Sequence, residues 1–183
     1  ILSVIGRLVS FIYNHCDLLL GQSKSFLPHI QKNSKNRRIE YFPSWADSVI
    51  QQVQKNTNSS MKSGDNFNVM FTGNVGDSQD FPAILNAVDL LKGNNSIHWT
   101  IVGDGRMSDW LKKEIKKRGL ESVMTLAGRH PVEKMPEFFK QADALLVSLK
   151  DSPVYGMTIP GKLQAYLMSG KPILAMLSGE GAN

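Results

Sequence analysis

From Phe67 onward one pattern repeats and leaves few folds open: a short apolar run, a turn, a run of helical periodicity, a turn, and another apolar run. "FNVMFTG" reads as a strand, "DFPAILNAVDLLK" as a helix and "IHWTIVG" as a second strand. "MSDWLKKEIKKRG" predicts a helix with Met107, Trp110, Leu111 and Ile115 on one face and Gly119 as its stop. The strand "VMTLAG", the short helix "EKMPEFFKQA", the strand "ALLVSL", the helix "GKLQAYLMSG" and the strand "PILAML" follow. Five apolar strands alternating with four helices require right-handed βαβ crossovers, which run the strands parallel. The expected fold class is therefore α/β, a Rossmann-like parallel sheet with helices on both faces.

Ahead of Phe67 the pattern changes. Leu2, Ile5, Val9, Ile12 and Tyr13 share one face of a helix, "CDLLLGQS" reads as a strand and "KSFLPHIQK" as a short helix at Pro28. After the strand-like "IEYFP" comes "QKNTNSSMKSGDN", which has the composition of a linker. The expected organisation is a fragment of one domain over residues 1–42, a linker over 43–66 and a Rossmann-like domain over 67–183. The chain opens on Ile and stops soon after a strand, and both ends read as cuts in a longer protein.

Composition narrows the chemistry. The single cysteine, Cys16, excludes an internal disulfide and any CxxC redox or metal site, which points to a reducing, cytoplasmic setting. His15, His29, His98 and His130 have no metal-ligand spacing, so no metal site is expected. The apolar N-terminal run is broken by Arg7, His15 and Asp17 and falls short of the roughly 20 clean residues of a membrane span. A net charge of +5 suits an anionic substrate, nucleic acid or an acidic membrane surface alike. The basic "KKEIKKR", Lys112 to Arg118, lies opposite an apolar helical stripe without interleaved aromatics and reads as a solvated face, so no nucleic acid is expected. Trp99 and Trp110 read as packing residues.

In an open parallel sheet, ligands bind at the carboxyl ends of the strands, so the loops that follow them carry the candidates. These are "TGNVGDSQ" with Gly73 and Asn74, "GDGR" with Gly103, Asp104 and Gly105, "GRHPVEKM" with Arg129 and His130, and "KDSPVYGMTIPGK" with Thr158 and Lys162. Glycine at a strand end lets the backbone approach a phosphate closely. "GDGRMS" has Ser108 where a dinucleotide fingerprint needs its third glycine, and "GNVGDSQ" lacks the GK[ST] of a P-loop. Lys162 opens a helix, where a cation opposes the macrodipole, as expected of a residue that awaits an anion. If the strands take the usual order, the loops of Arg129 and Lys162 are adjacent. The pair would then stabilise charge on a departing diphosphate.

"FTGNVGDSQDFPAILNAVDLL", "WTIVGDGRMSDWLK", "VMTLAGRHPVEKMPEFFKQADALLVSL" and "TIPGKLQAYLMSGKPILA" resemble, in order and spacing, the C-terminal donor-binding domain of GT-B glycosyltransferases. The likeness is to family 4, in its bacterial O-antigen and capsule branch with fucosamine-type transferases. "LVSFIYNHCDLLLGQSKSFLPHI" resembles the end of the N-terminal acceptor-binding domain. The resemblance implies the C-terminal half of a GT-B fold and retaining transfer from a nucleoside diphosphate sugar, UDP-linked, without a metal or other cofactor. The acceptor would be a glycan or lipid-linked glycan at the inner membrane face, with peripheral membrane contact. A catalytic base, where one is used, would lie in the acceptor domain, so that these residues alone would bind donor without turnover.

Carried over by position, Gly73 and Asn74 would face the diphosphate and sugar, and Gly103, Asp104 and Gly105 the nucleotide. Arg129 and His130 would lie near base or phosphates, and Thr158, Lys162 and Gln164 near diphosphate and ribose. The chain departs from the family where it has Asn74 and Gln79 for a basic pair and Met157 and Ala165 for two glutamates. Lys162 would then be the substitute cation and Gln164 a polar ribose contact. Two alternatives stay open: a non-catalytic nucleotide-binding module, and a nucleotide-sugar epimerase of related fold.

Overall fold

The computed structural model describes residues 2–35, 38–45 and 66–182. Two compact units divide the chain: Ile1–Trp45 with Asp151–Pro160 and Ser178–Asn183, and Ala46–Lys150 with Gly161–Leu177. The polar stretch read as a linker lies largely outside the described residues. The first unit takes in two segments from the sequence's C-terminal half, for reasons visible in its own hydrogen bonds.

In that unit, α1 (Leu2–Asn14) forms as its periodicity predicts but buries none of its residues. β1 (Leu19–Gly21) is followed by α2 (Leu27–Asn33), which carries Pro28 in its first turn, where a missing N–H costs nothing. β2 (Ile39–Tyr41) pairs parallel with β1, Leu19 opposite Ile39. The returning segments are tied in at the turn between β1 and α2. Ser23 Oγ donates to the carbonyl of Met157. The Glu180 carboxylate accepts the N–H groups of Lys24 at 2.8 Å and Ser25 at 2.6 Å. Those bonds, Ser25's first, hold the Glu180 pKa below its ordinary value. Gly179, at φ +64°, lies so close to the Gly156 carbonyl that a Cβ there would collide with it.

The second unit is the expected sheet. β3 (Phe67–Thr72), β4 (Ile97–Val102), β5 (Met124–Gly128), β6 (Ala144–Ser148) and β7 (Ile173–Met176) are all parallel in the order β5-β4-β3-β6-β7. Alternation along each strand sorts the core into two layers. Val69 and Phe71 of β3, Trp99 and Ile101 of β4 and Leu146 of β6 face α3 (Phe81–Leu91) and α4 (Ser108–Arg118). Met70, Val102, Leu145 and Val147 face α5 (Met135–Gln141) and α6 (Lys162–Ser169). The tryptophans read as packing residues are so: Trp99 is buried and Trp110 packs against the first layer. Gly119 ends α4 in the left-handed region at φ 64°, and Lys112, Lys113, Lys116 and Lys117 lie on its exposed side.

The strand order has a functional consequence. From β3 the chain steps outward to β4 and β5, then crosses back to β6 on the other side of β3. The carboxyl end of β3 therefore lies at the switch point of the sheet, where neighbouring connections diverge and leave a crevice.

Candidate functional site

Three glycine loops meet at the carboxyl ends of β3, β4 and β5, and their backbones hold each other. Gly73 N–H donates to Val102 O at 2.9 Å, Gly103 N–H to Gly128 O at 2.7 Å, and Val75 N–H to Asp104 O at 2.9 Å. Gly103 has φ +143°, and a Cβ on it would strike the carbonyl of Gly73. A Cβ on Gly105 would strike that of Val75. These glycines are thus required by loop against loop. The amides of Gly73, Gly103 and Gly105 are occupied within the protein, the last by Asp104 Oδ1 and Ser108 Oγ. This corrects the expectation that glycine amides face a phosphate: here they build a floor.

Above the floor is a cavity of about 480 Å³, within the range of small-molecule sites. Gly73, Asn74, Gly103, Asp104, Gly105, Arg129, His130 and Met135 line it with Val102, so seven of the sequence-derived candidates come together there. The Asp104 carboxyl is held below its usual range by the Ser108 hydroxyl, the Gly105 N–H and the charge of Arg129. His130 is fixed by Nε2 at 3.0 Å from Ala127 O and by ring contact with Phe138, centroids 4.7 Å apart. Arg129 is exposed.

Lys162 does not line this cavity, and its loop is not next to that of Arg129, because β4 and β3 stand between β5 and β6. The expected adjacency of the two loops is corrected accordingly. Lys162 reaches the β3 loop from the other side, at the switch point. Its Nζ donates to Gln79 Oε1 at 2.7 Å and lies 3.7 Å from the centroid of the Phe71 ring. It is 3.6 Å from where a Cβ on Gly73 would stand, so one residue separates it from the cavity. Burial pushes its pKa down to about 7.

Gln164 is half-buried on α6 and is not among the cavity's lining residues. Ala165, aligned with a family glutamate, packs against the second core layer. Thr158 belongs to the first unit, where its hydroxyl donates to Val154 O at 3.0 Å. Sequence reading missed Tyr166. It is fully buried one turn after Lys162, and its hydroxyl accepts from Thr72 N–H at 2.8 Å, fixing the end of β3. The interval of four residues from Lys162 was the available signal. Among the described residues no three His, Cys, Asp or Glu gather as a metal site.

A Rossmann-like sheet with a glycine-floored, cation-edged cavity at its carboxyl edge has the architecture of a nucleotide-binding domain. The chain belongs to the glycosyl transferases group 1 family, which it matches over residues 52–176. It is 28% identical over 184 residues to the "Probable glycosyltransferase WbjE" of Pseudomonas aeruginosa, covering 95% of this chain and 44% of that protein. It thus spans less than half the length of this relative.

The fold is similar to that of Anabaena HepE in complex with UDP and glucose, at TM-score 0.70 and 17% identity over 97% of this chain and 49% of that one. It is also similar to S. aureus TarM in complex with Fondaparinux, alpha-GlcNAc-glycerol and UDP, at TM-score 0.66 and 12% identity over 91% and 31%. These likenesses establish the fold as that of GT-B glycosyltransferases. No described helix is long and apolar enough to cross a membrane.

Proposed function

We propose that this chain carries the donor-binding portion of a retaining glycosyltransferase of family 4, in the fucosamine-type branch. It moves an amino or deoxy sugar from a UDP-sugar to a growing surface polysaccharide or lipid-linked glycan. The observation that carries the reading is the cavity over the glycine floor, bounded by Arg129 and His130, with Lys162 behind Gly73. Family membership supports it, as do the UDP and UDP-glucose complexes of the HepE neighbour.

When the bond from sugar to diphosphate breaks, negative charge grows on the departing phosphate oxygen. Cations already in place stabilise that charge without a reorganisation cost. Arg129 does so from the β5 loop and Lys162 from α6, and no metal is needed. Asn74 and Asp104 offer polar contacts to sugar and nucleoside, with Gln164 of α6 as a further donor contact. The residues that bind acceptor lie elsewhere in the protein, at the cytoplasmic face of the membrane, and these residues alone bind donor without turning it over.

Calorimetric titration with UDP, GDP and NAD tests the reading. UDP binds, and Lys162→Ala weakens it by about 1.5–3 kcal/mol, the range for a hydrogen bond to a charged group. Binding of NAD and not UDP would overturn it.

A further inference from the structure

Lys162 is a cation whose fixed partner is neutral. Among the described residues it forms no ion pair, and the atom that orients it is an amide oxygen. Gln79 is unusually constrained for that task. It is 9% exposed. Its N–H donates to Gly76 O at 3.2 Å, its carbonyl accepts Ser148 Oγ at 2.7 Å, and its Nε2 donates to Ser78 Oγ at 3.2 Å. Oε1 is left for Lys162, and the ammonium form of Lys162, which only donates, fixes that orientation of the amide. One of three ammonium protons is thereby satisfied with none of its charge cancelled.

We propose that Gln79 is a positioning residue for capture of a phosphoanion. It holds the uncompensated Lys162 amine beside Gly73 so that a nucleoside diphosphate entering the cavity binds together with a proton taken up by Lys162. The proposal rests on the donor-site reading above.

The surroundings leave that proton to the ligand. On β3 and its loop, Lys162 faces the Phe71 ring, Gly73 and Gln79. On α6, Tyr166 turns its hydroxyl to Thr72, and burial keeps that phenol protonated. Of the two carboxylates of the β3 loop, Asp77 is taken by Lys150 after β6 at 2.6 Å, and Asp80, next to Gln79, makes no ion pair among the described residues. In the β4 loop, Asp104 is held by Gly105 and Ser108, and Arg129 lies on the β5 side of the cavity. Burial alone depresses Lys162, to a pKa of about 7, so near neutral pH free protein holds both the amine and the ammonium. A diphosphate binds the ammonium preferentially and pulls the equilibrium toward it.

The test uses the full chain labelled with [13Cε]lysine, Lys162→Arg identifying the signal. Affinities for UDP and for pyrophosphate are measured from about pH 7 to 8.5, above the roughly pH 6 step of the terminal phosphate. The Lys162 signal titrates near neutrality in free protein and moves at least one unit upward in saturating UDP. UDP affinity falls with rising pH, by about threefold between pH 7 and 8 for a one-unit shift and approaching tenfold per unit for a larger one. Gln79→Glu, which supplies a counterion in the same shape, raises the free-state midpoint, flattens the affinity profile and lowers affinity at pH 7. Gln79→Met, which keeps the volume and removes the acceptor, lowers the midpoint.

UDP binding of pH-independent affinity, or a Lys162 midpoint indifferent to both substitutions, would overturn capture while leaving the donor reading intact. Absence of UDP and pyrophosphate binding at every pH would overturn both.

Discussion

The two flanks of the β3 loop carry the same charge in opposite settings. On the β5 side Arg129 is exposed, lines the cavity and is hydrated before any ligand arrives. On the α6 side Lys162 is half-buried over Phe71 with a neutral amide as its partner. The difference teaches that position relative to a strand end does not fix what a cation contributes. A solvated charge is screened and its interactions are cheap to make or lose. A desolvated charge is costly to the free protein and correspondingly effective toward a ligand that completes it.

Breaking the floor abolishes the comparison and gives the largest effect. Gly103→Ala forces a Cβ into the Gly73 carbonyl at φ +143°. It lowers stability by about 3 kcal/mol or more, with loss of UDP binding, in a denaturant melt and a titration of the same sample. Next comes Lys162→Ala, whose loss of about 1.5–3 kcal/mol of UDP affinity persists in high salt.

The same residue gives the opposite sign for stability. Its folded pKa of about 7 lies below the ordinary 10.5, so between those values the unfolded chain binds more protons and stability rises with pH. Below about 7 both states are protonated and the burial cost is felt in full. Lys162→Met therefore stabilises the protein by about 1–2 kcal/mol at pH 7, with no gain above about pH 10, in melts across that range. Smallest is Arg129→Ala, which costs about 0.5–1 kcal/mol of UDP affinity at low salt and less at 0.5 M. Equal, salt-independent losses at Arg129 and Lys162 would show that the two flanks do not differ.

Much of the second unit was legible because each element there obeys a local rule. Strand and helix periods, Gly119 as a stop and the small residues at strand ends all act within a few positions of themselves. The cavity residues followed, since the loops after β3, β4 and β5 are consecutive along the sheet. What local rules cannot carry is the crossing back to β6, which separated Arg129 from Lys162 and put Gln79 opposite α6. Gln79 looked like a lost cation in sequence, and its value as an acceptor depends on a lysine 83 residues away. The membership of residues 151–160 and 178–182 in the first unit was hidden for the same reason: the Ser23 hydroxyl and the Glu180 carboxylate carry no periodic signature.

The bonds of Ser23 and Glu180 also bear on time. Ser23 meets a partner 134 residues further on, and the Lys24 amide one 156 residues further on. A chain made at roughly 5–20 residues per second therefore leaves the turn after β1 without these partners for about 7 to 30 seconds. The second unit needs neither bond, and its sheet lacks only β7 once α6 has emerged. With Leu177 emerged and Glu180 not yet emerged, a ribosome-bound chain has Met157 for Ser23 but no acceptor for the Lys24 and Ser25 amides, and protease would cut there while the sheet resists. Extending that chain past Glu180 would close the turn.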